Sequence, residues 1–257
     1  MSTLPTTSEL LDFATRLAWT GGRSTLAWFN CDVPAEIKGD GSPVTIADKN
    51  AEAVMRALLK ERYPDHGVVG EEHGEEPGKV PIRWIIDPID GTRTFLRGVP
   101  FYGTLVGVEV EGEPTVGVIY IPALDEMVSA GRGLGCRWNG RLCRVASTPT
   151  LSSALTVATD ETAVRRRMGN ERHDAWTKAT AMQRTWADCY GYVLVATGRS
   201  EIAMDAVMAL WDNAPMLPII EEAGGRFTSW SGERRIDGGD AVATNGLLHD
   251  EVLAFLR

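Results

Sequence analysis

The 257-residue chain is 44% hydrophobic, enough apolar material for one large core or two closely packed halves, which excludes a wholly disordered polypeptide. Its formal charge of -9, from 35 acidic and 26 basic residues, opposes unassisted binding to nucleic acid or an anionic membrane and favours a small soluble ligand. The start MSTLPTTSELLDF lacks the basic segment and apolar core of a secretion signal. No apolar run approaches the ~20 residues of a membrane span, and Cys31, Cys136, Cys143 and Cys189 form no C-x-x-C pair, so a cytoplasmic protein with reduced thiols is expected.

Thr6, with Glu9 three residues later, has capping-box spacing, and Leu10, Phe13, Ala14, Leu17 and Ala18 follow on one face; a first helix is predicted. The turn formers Lys38-Gly39-Asp40-Gly41-Ser42-Pro43 predict a loop. A second helix follows, in which Ala47, Ala51, Val54, Met55, Leu58 and Leu59 share a face until Pro64. Short strands are predicted over 67–70, 83–87, 101–110, 115–121 and 126–130, and their succession predicts an antiparallel meander. From about Leu151 the rhythm becomes alternating: a strand over 155–158, a helical stretch, another short run, a helix over 189–197 and a strand over 201–204. Such alternation predicts an α/β layer. A helix over 212–223 is stopped by Gly224-Gly225, then comes a strand over 242–244 and a closing helix over 247–256. No linker or repeat intervenes, so two subdomains, 1–148 and 149–257, are expected to share an interface with a site between them.

The segment Trp84-Ile85-Ile86-Asp87-Pro88-Ile89-Asp90-Gly91-Thr92 reads as an apolar strand that ends in an acid, turns at proline and presents a second acid before Gly-Thr. Pro88 biases Asp87 toward an extended conformation, and Gly91 admits a ligand close to the backbone. If Thr92 opens a helix, the N–H groups of Gly91 and Thr92 face whatever sits beside the acids and favour an anion. An acid-rich surface turn is the plain alternative for this segment alone. However, Val68-Val69 also leads into acids, Gly70-Glu71-Glu72, and Asp212 stands at the start of a late helix. Singly, Glu71-Glu72 reads as a solvated charge pair and Asp212 as an N-cap. Together they predict metal beside anion, the arrangement phosphoryl transfer needs.

With G-E-E at Gly70 to Glu72, D-P-I-D-G-T at Asp87 to Thr92, W-D at Trp211-Asp212, K-x-D-x-S-P-V-T-x-A-D from Lys38 to Asp48 and E-A-G-G at Glu222 to Gly225, the chain resembles the inositol monophosphatase superfamily over nearly its whole length. The resemblance implies an α/β (α+β) fold, the layered αβαβα sandwich, with the meander in the first half and the α/β layer in the second. It implies that Glu71, Asp87, Asp90 and Asp212, with the Ile89 carbonyl, hold two or three Mg2+ ions. All are hard oxygen donors and no cysteine or histidine cluster accompanies them, so Mg2+ or Mn2+ is favoured over zinc; His73, after the acid pair, reads as a surface residue. By the same resemblance, Glu71 and Thr92 orient the attacking water, Asp48 supports the Thr92 hydroxyl, and the Gly91 and Thr92 N–H groups hold phosphate. Lys38 would lie on a flexible loop beside the metals, and the chain would form a homodimer. The competing readings are a helix-opening acid for Asp48 and a solvated charge for Lys38.

The runs from Arg184 to Tyr192 and from Pro218 to Gly225 look more like the histidinol-phosphate phosphatase branch than the inositol branch. On that resemblance Asp188 pairs with the ammonium or imidazole of histidinol phosphate, Asp205 is a second acid at the leaving group, and Arg184 is a further substrate contact. Read without it, Asp188 is a helix N-cap, Asp205 a surface acid at a strand end and Arg184 a salt-bridge partner. Pro215 departs from the family pattern and is expected in a first helical turn. The alternatives are a phosphatase for inositol phosphate, a sugar bisphosphate or a nucleotide, and, in a different class, a regulatory protein that binds RNA or transcription machinery without turnover, against which the acidic balance argues. Cys136 and Cys143 read as structural thiols.

Overall fold

Thr6 caps helix α1 (Thr7–Thr25) as its spacing predicts: the Thr6 hydroxyl accepts from the Glu9 N–H and the Glu9 carboxylate accepts from the Thr6 N–H. The computed structural model describes residues 4–39, 41–186 and 188–257; Met1 to Thr3, Asp40 in the predicted loop and Ala187 beside the predicted substrate acid lie outside them. Strands β1 (Ala35–Ile37) and β2 (Pro43–Thr45) form an antiparallel hairpin that leads into α2 (Ile46–Arg62). The apolar stripes of both helices, Leu10, Ala14 and Leu17 on α1 and Met55 and Leu59 on α2, pack on one face of a sheet through Trp84, Ile86, Val106 and Val118.

That sheet has eight strands: β3 (Gly67–Gly70), β4 (Gly74–Glu76), β5 (Ile82–Asp90), β6 (Gly103–Val110), β7 (Glu113–Ile121), β8 (Glu126–Gly131), β9 (Gly135–Trp138) and β10 (Arg141–Leu142), in spatial order β10-β9-β8-β7-β6-β5-β3-β4. From β5 to β8 it is the predicted antiparallel meander, and β9 and β10, which were not predicted, continue it. The prediction fails at β3, which pairs parallel to β5 because the β3–β4 hairpin lies outside it at the sheet edge. The short helix α3 (Thr92–Leu96) joins β5 to β6.

A second, five-stranded sheet, in order β12-β11-β13-β15-β14, is built from β11 (Leu155–Val157), β12 (Met182–Arg184), β13 (Ile202–Asp205), β14 (Arg226–Thr228) and β15 (Ala241–Thr244). Helices α6 (Tyr190–Ala196) and α7 (Leu210–Glu222) lie between the two sheets, packing Val193, Met216 and Ile220 against Ile85, Leu105 and Ile119 on one side and Ala203 and Ala243 on the other. Helices α4 (Glu161–Met168), α5 (Asn170–Ala179) and α8 (His249–Leu256) cover the outer face through Val164, Trp176 and Val252 against Ile202, Met204 and Val242. Alternate residues of each strand thus serve opposite layers, giving the αβαβα order. Among the described residues no helix is long and apolar enough to cross a membrane.

Helix α7 begins two residues before its predicted start, so Pro215 lies in the helix interior instead of the first turn. A proline there removes one helical hydrogen bond and costs about 3 kcal/mol. The compensation is tertiary. Gly107 and Gly117 face each other across the β6–β7 ladder, and a Cβ at either would overlap Ala214 or the Pro215 carbonyl, so the two glycines form a flat trough that admits the helix backbone.

His249, at the start of α8, is fully buried, with its ring nitrogens 3.0 Å from the hydroxyls of Thr228 and Thr244. Burial pushes it down to about 4 from 6.5. The unfolded chain therefore binds this proton first as pH falls, and the stability that neutral His249 contributes is present above pH 6.5 and lost on acidification toward pH 4. At about 1.4 kcal/mol per unit, discounted for screening, we expect a loss on the order of 2 kcal/mol over that window. Urea unfolding of wild type and His249→Asn at pH 7 and pH 4.5 checks it: the gap between the two proteins narrows at the lower pH.

Candidate active site

Residues three apart on a regular strand point to opposite faces. Between Asp87 and Asp90 the register of β5 shifts: Asp87 pairs with Leu105 and Asp90 with Gly103, so three residues of β5 oppose two of β6. The predicted turn at Pro88 is instead a β-bulge within a strand that continues to Asp90, and its extra residue brings the second acid round to the first. The Asp87 carboxylate accepts from the Ile89 N–H at 3.0 Å inside the bulge.

The parallel β3 sets Gly70 opposite Ile86, and the Glu71 N–H donates to the Ile86 carbonyl at 3.3 Å, so Glu71 emerges beside Asp87. From the other side α7 delivers Asp212 at its third position, where its carboxylate accepts from the Ala209 N–H at 2.7 Å; Asp212 is thus a capping-box acid and not the cap residue itself. Carboxylate oxygens of Asp87, Asp90 and Asp212 lie within 4.8 Å of one another, in a cleft of about 300 Å³ that Glu71, Ile89, Gly91, Thr92 and Asp188 also line. Glu71 lines the same cleft without belonging to this close group, and it is paired with Lys38, whose ammonium is 2.8 Å from Glu71 and 2.7 Å from Glu72. Lys38 is therefore an ion-pair partner at the site and not a solvated loop charge.

Burial, and then the charges of Glu71, Asp90 and Asp212, raise Asp87 well above the carboxylate range. Burial, Asp188 and Asp212 do the same to Asp90. Asp212 is pushed up to about 7 by burial and by Glu71, against the hydrogen bond from Ala209. Such mutual repulsion between buried carboxylates is relieved by a cation, and the converging donors are hard carboxylate oxygens with no imidazole or thiolate in the group. Mg2+ or Mn2+ fits this donor set.

The opening of α3 lies directly after the acids. Gly91 adopts a left-handed conformation (φ 83°) at the start of α3, where no side chain caps the helix, and a Cβ there would overlap the Asp188 carboxylate. The Thr92 hydroxyl is 3.2 Å from Asp48 and 3.2 Å from the Ile89 carbonyl. Asp48 also accepts from the Thr45 N–H (2.8 Å) and hydroxyl (2.6 Å), so it is both the helix-opening acid and the partner of Thr92.

Next to the cleft, Asp90, Asp188, Asp205 and Asp212 line a smaller chamber of about 100 Å³. Asp188 is not a helix cap: it sits in the left-handed region (φ 54°), its carboxylate accepting from the Thr94 hydroxyl at 2.6 Å and its N–H donating to the Thr159 hydroxyl at 2.9 Å. The next N–H, of Cys189, donates to Asp90 at 2.6 Å. Asp205 is no surface acid: it is buried, accepts from the Thr159 N–H (2.8 Å) and the Tyr192 hydroxyl (3.0 Å), and is pushed up to about 7 by burial. Arg184 is exposed, donates to the Gln183 carbonyl at 2.7 Å and lines neither the cleft nor the chamber.

Sequence reasoning missed Glu52. It is fully buried and accepts from Arg56 Nε (2.7 Å), the Glu72 N–H (2.8 Å) and the His73 N–H (3.1 Å), so it clamps the turn that presents Glu71. The signal was a charged residue inside the apolar stripe of α2, between Ala51 and Met55. Thr94, Thr159 and Tyr192, which hold Asp188 and Asp205, carry no such local signal.

The fold is that of solved phosphatases: the IMPase of Thermotoga maritima superposes with a TM-score of 0.88, at 28% identity over 96% of each chain. A histidinol-phosphatase of Chlorobaculum parvum is 40% identical over 95% of both chains, and one of Mycobacterium tuberculosis is 39% identical over 88% of this chain and 89% of its own. An inositol-1-monophosphatase of Mesorhizobium japonicum matches at 32% identity over 97% of both chains, so similarity alone spans more than one substrate. Fold, acidic cleft and relatives together define a phosphoric monoester hydrolase. The chain belongs to the inositol monophosphatase family, whose sequence profile matches residues 6–256.

Proposed function

We propose that this hydrolase acts on L-histidinol phosphate, releasing L-histidinol and phosphate with the help of Mg2+, in the cytoplasm. The observation that carries the reading is the chamber beside the acid cluster, which is lined by two further carboxylates, the half-buried Asp188 and the buried Asp205. A neutral polyol offers no charge to pair with these two acids, whereas the ammonium and imidazole of histidinol do. The identity of 36–40% to three proteins named histidinol-phosphatase supports the same choice.

Asp87, Asp90 and Asp212, with Glu71 and the Ile89 carbonyl, would hold divalent ions, which supply charge neutralisation of the phosphoryl group and a more acidic water. The N–H groups of Gly91 and Thr92 bind phosphoryl oxygens at the opening of α3. The Thr92 hydroxyl, held by Asp48, orients the attacking water, and Glu71 accepts its proton. Asp188, fixed by Thr94 and Thr159, and Asp205, fixed by Thr159 and Tyr192, receive the cationic leaving group.

Turnover of histidinol phosphate and inositol 1-phosphate, each with and without Mg2+, tests the reading. Asp188→Asn is expected to lower kcat/KM on histidinol phosphate by about 10- to 100-fold, the worth of one charge-assisted hydrogen bond, and to change turnover of inositol 1-phosphate by less than about threefold. Equal losses on the two esters, or a wild-type preference for the inositol ester, would count against the assignment.

A further inference from the structure

We propose that Cys136 and Cys143 form an oxidation site, a dithiol that a hydroperoxide converts reversibly to a disulfide. Neither residue lines the catalytic cleft or the chamber beside it, and the proposal is independent of which ester is cleaved. Cys136 lies on β9. The chain returns through β10 with Arg141 opposite Trp138 and Leu142 opposite Arg137, and the Cys143 N–H continues this ladder by donating to the Cys136 carbonyl at 3.0 Å. The two sulfurs are 3.5 Å apart. Directly opposed residues of an antiparallel pair have Cα atoms about 5.5 Å apart or closer, inside the ~4.4–6.8 Å that a disulfide spans, so closure asks for side-chain rotation and little backbone movement.

The two thiols are placed for different roles. Cys136 is buried, whereas Cys143 is partly open to solvent. Contact with Cys136 and the charge of Arg199 lower the Cys143 thiol; the same contact and burial raise Cys136. Arg199 is itself fixed, 4.5 Å over the Trp138 ring and paired with Glu126. The reactive thiolate therefore falls to Cys143, with Cys136 as the resolving partner.

In the first step the Cys143 thiolate attacks one peroxide oxygen: an S–O bond forms, the O–O bond breaks, and the leaving hydroxide takes a proton to become water. In the second, the Cys136 sulfur attacks the Cys143 sulfenic sulfur: an S–S bond forms, the S–O bond breaks, and the departing hydroxide leaves as water with the Cys136 proton. The two thiols together lose two electrons and the peroxide gains two. A dithiol reductant reverses the change.

Full-length protein treated with hydrogen peroxide, alkylated, digested and mapped by mass spectrometry tests this. We expect a Cys136–Cys143 link, loss of two of the four thiols in a denatured thiol count, and recovery of both with dithiothreitol. In Cys136→Ala the resolving thiol is gone, and Cys143 sulfenic acid is expected to accumulate and react with dimedone. If that variant does not fold, the wild-type map decides by itself. Peroxide-treated wild type that keeps both thiols, or that oxidises the exposed Cys31 while Cys136 and Cys143 stay reduced, overturns the proposal.

Discussion

Asp87→Asn is expected to lower phosphatase turnover by at least about 10³-fold while the metal-free protein stays folded and loses no stability. The two halves of that expectation come from one observation. Asp87 is almost completely buried among Asp90, Asp212 and Glu71, whose charges repel its own. A carboxylate in that position opposes folding unless a cation offsets it, so an amide of the same shape relieves repulsion in the absence of metal. The same exchange removes one negative charge from the centre of the cation site, and several kcal/mol of transition-state stabilisation go with it. Thermal unfolding with and without Mg2+ separates the two effects. Wild type is expected to gain stability on adding Mg2+, and the variant to gain much less.

Glu52→Ala is expected to cost about 3–5 kcal/mol, the range for breaking a buried ion pair, and so to lower Tm by about 10 °C in a chain of this size. The truncation leaves the Glu72 and His73 N–H groups without an acceptor and takes from Arg56 its buried partner, although Arg56 keeps Glu76 at 3.0 Å. The damage lies in the turn that carries Glu71, so kcat should fall by about tenfold at temperatures where the variant is still folded. Glu52→Gln keeps an acceptor oxygen for the turn and should recover most of the activity and about half of the stability. Differential scanning calorimetry and steady-state kinetics on the two variants check both outcomes.

What could be read from the chain was local. The Thr6–Glu9 box and the apolar stripe of α1 are written within a few turns of one helix, and the D-P-I-D-G-T run announces a site because acids, proline and glycine are adjacent. What could not be read depended on partners far away in sequence. The bulge that aligns Asp87 with Asp90 is a property of the register against β6, with Gly103 opposite Asp90. The parallel pairing of β3 with β5, which sets Glu71 beside Asp87, is decided by where the β3–β4 hairpin docks. The interior position of Pro215 contradicts helix propensity and is tolerated because Gly107 and Gly117 leave room for the backbone. Asp188 looked like a cap because helix α6 begins beside it; its carboxylate is held by Thr94, ninety-four residues earlier in the chain, and its backbone N–H by Thr159.

A cation held between acids from β5 and α7 is the central expectation for this cleft. Crystals grown with Mn2+ and measured at its absorption edge examine this directly. An anomalous peak in contact with carboxylate oxygens of Asp87, Asp90 and Asp212 is predicted, with Lys38 released from Glu71. A map with no peak in that cleft, or with Mn2+ bound only at other acidic residues, would contradict it.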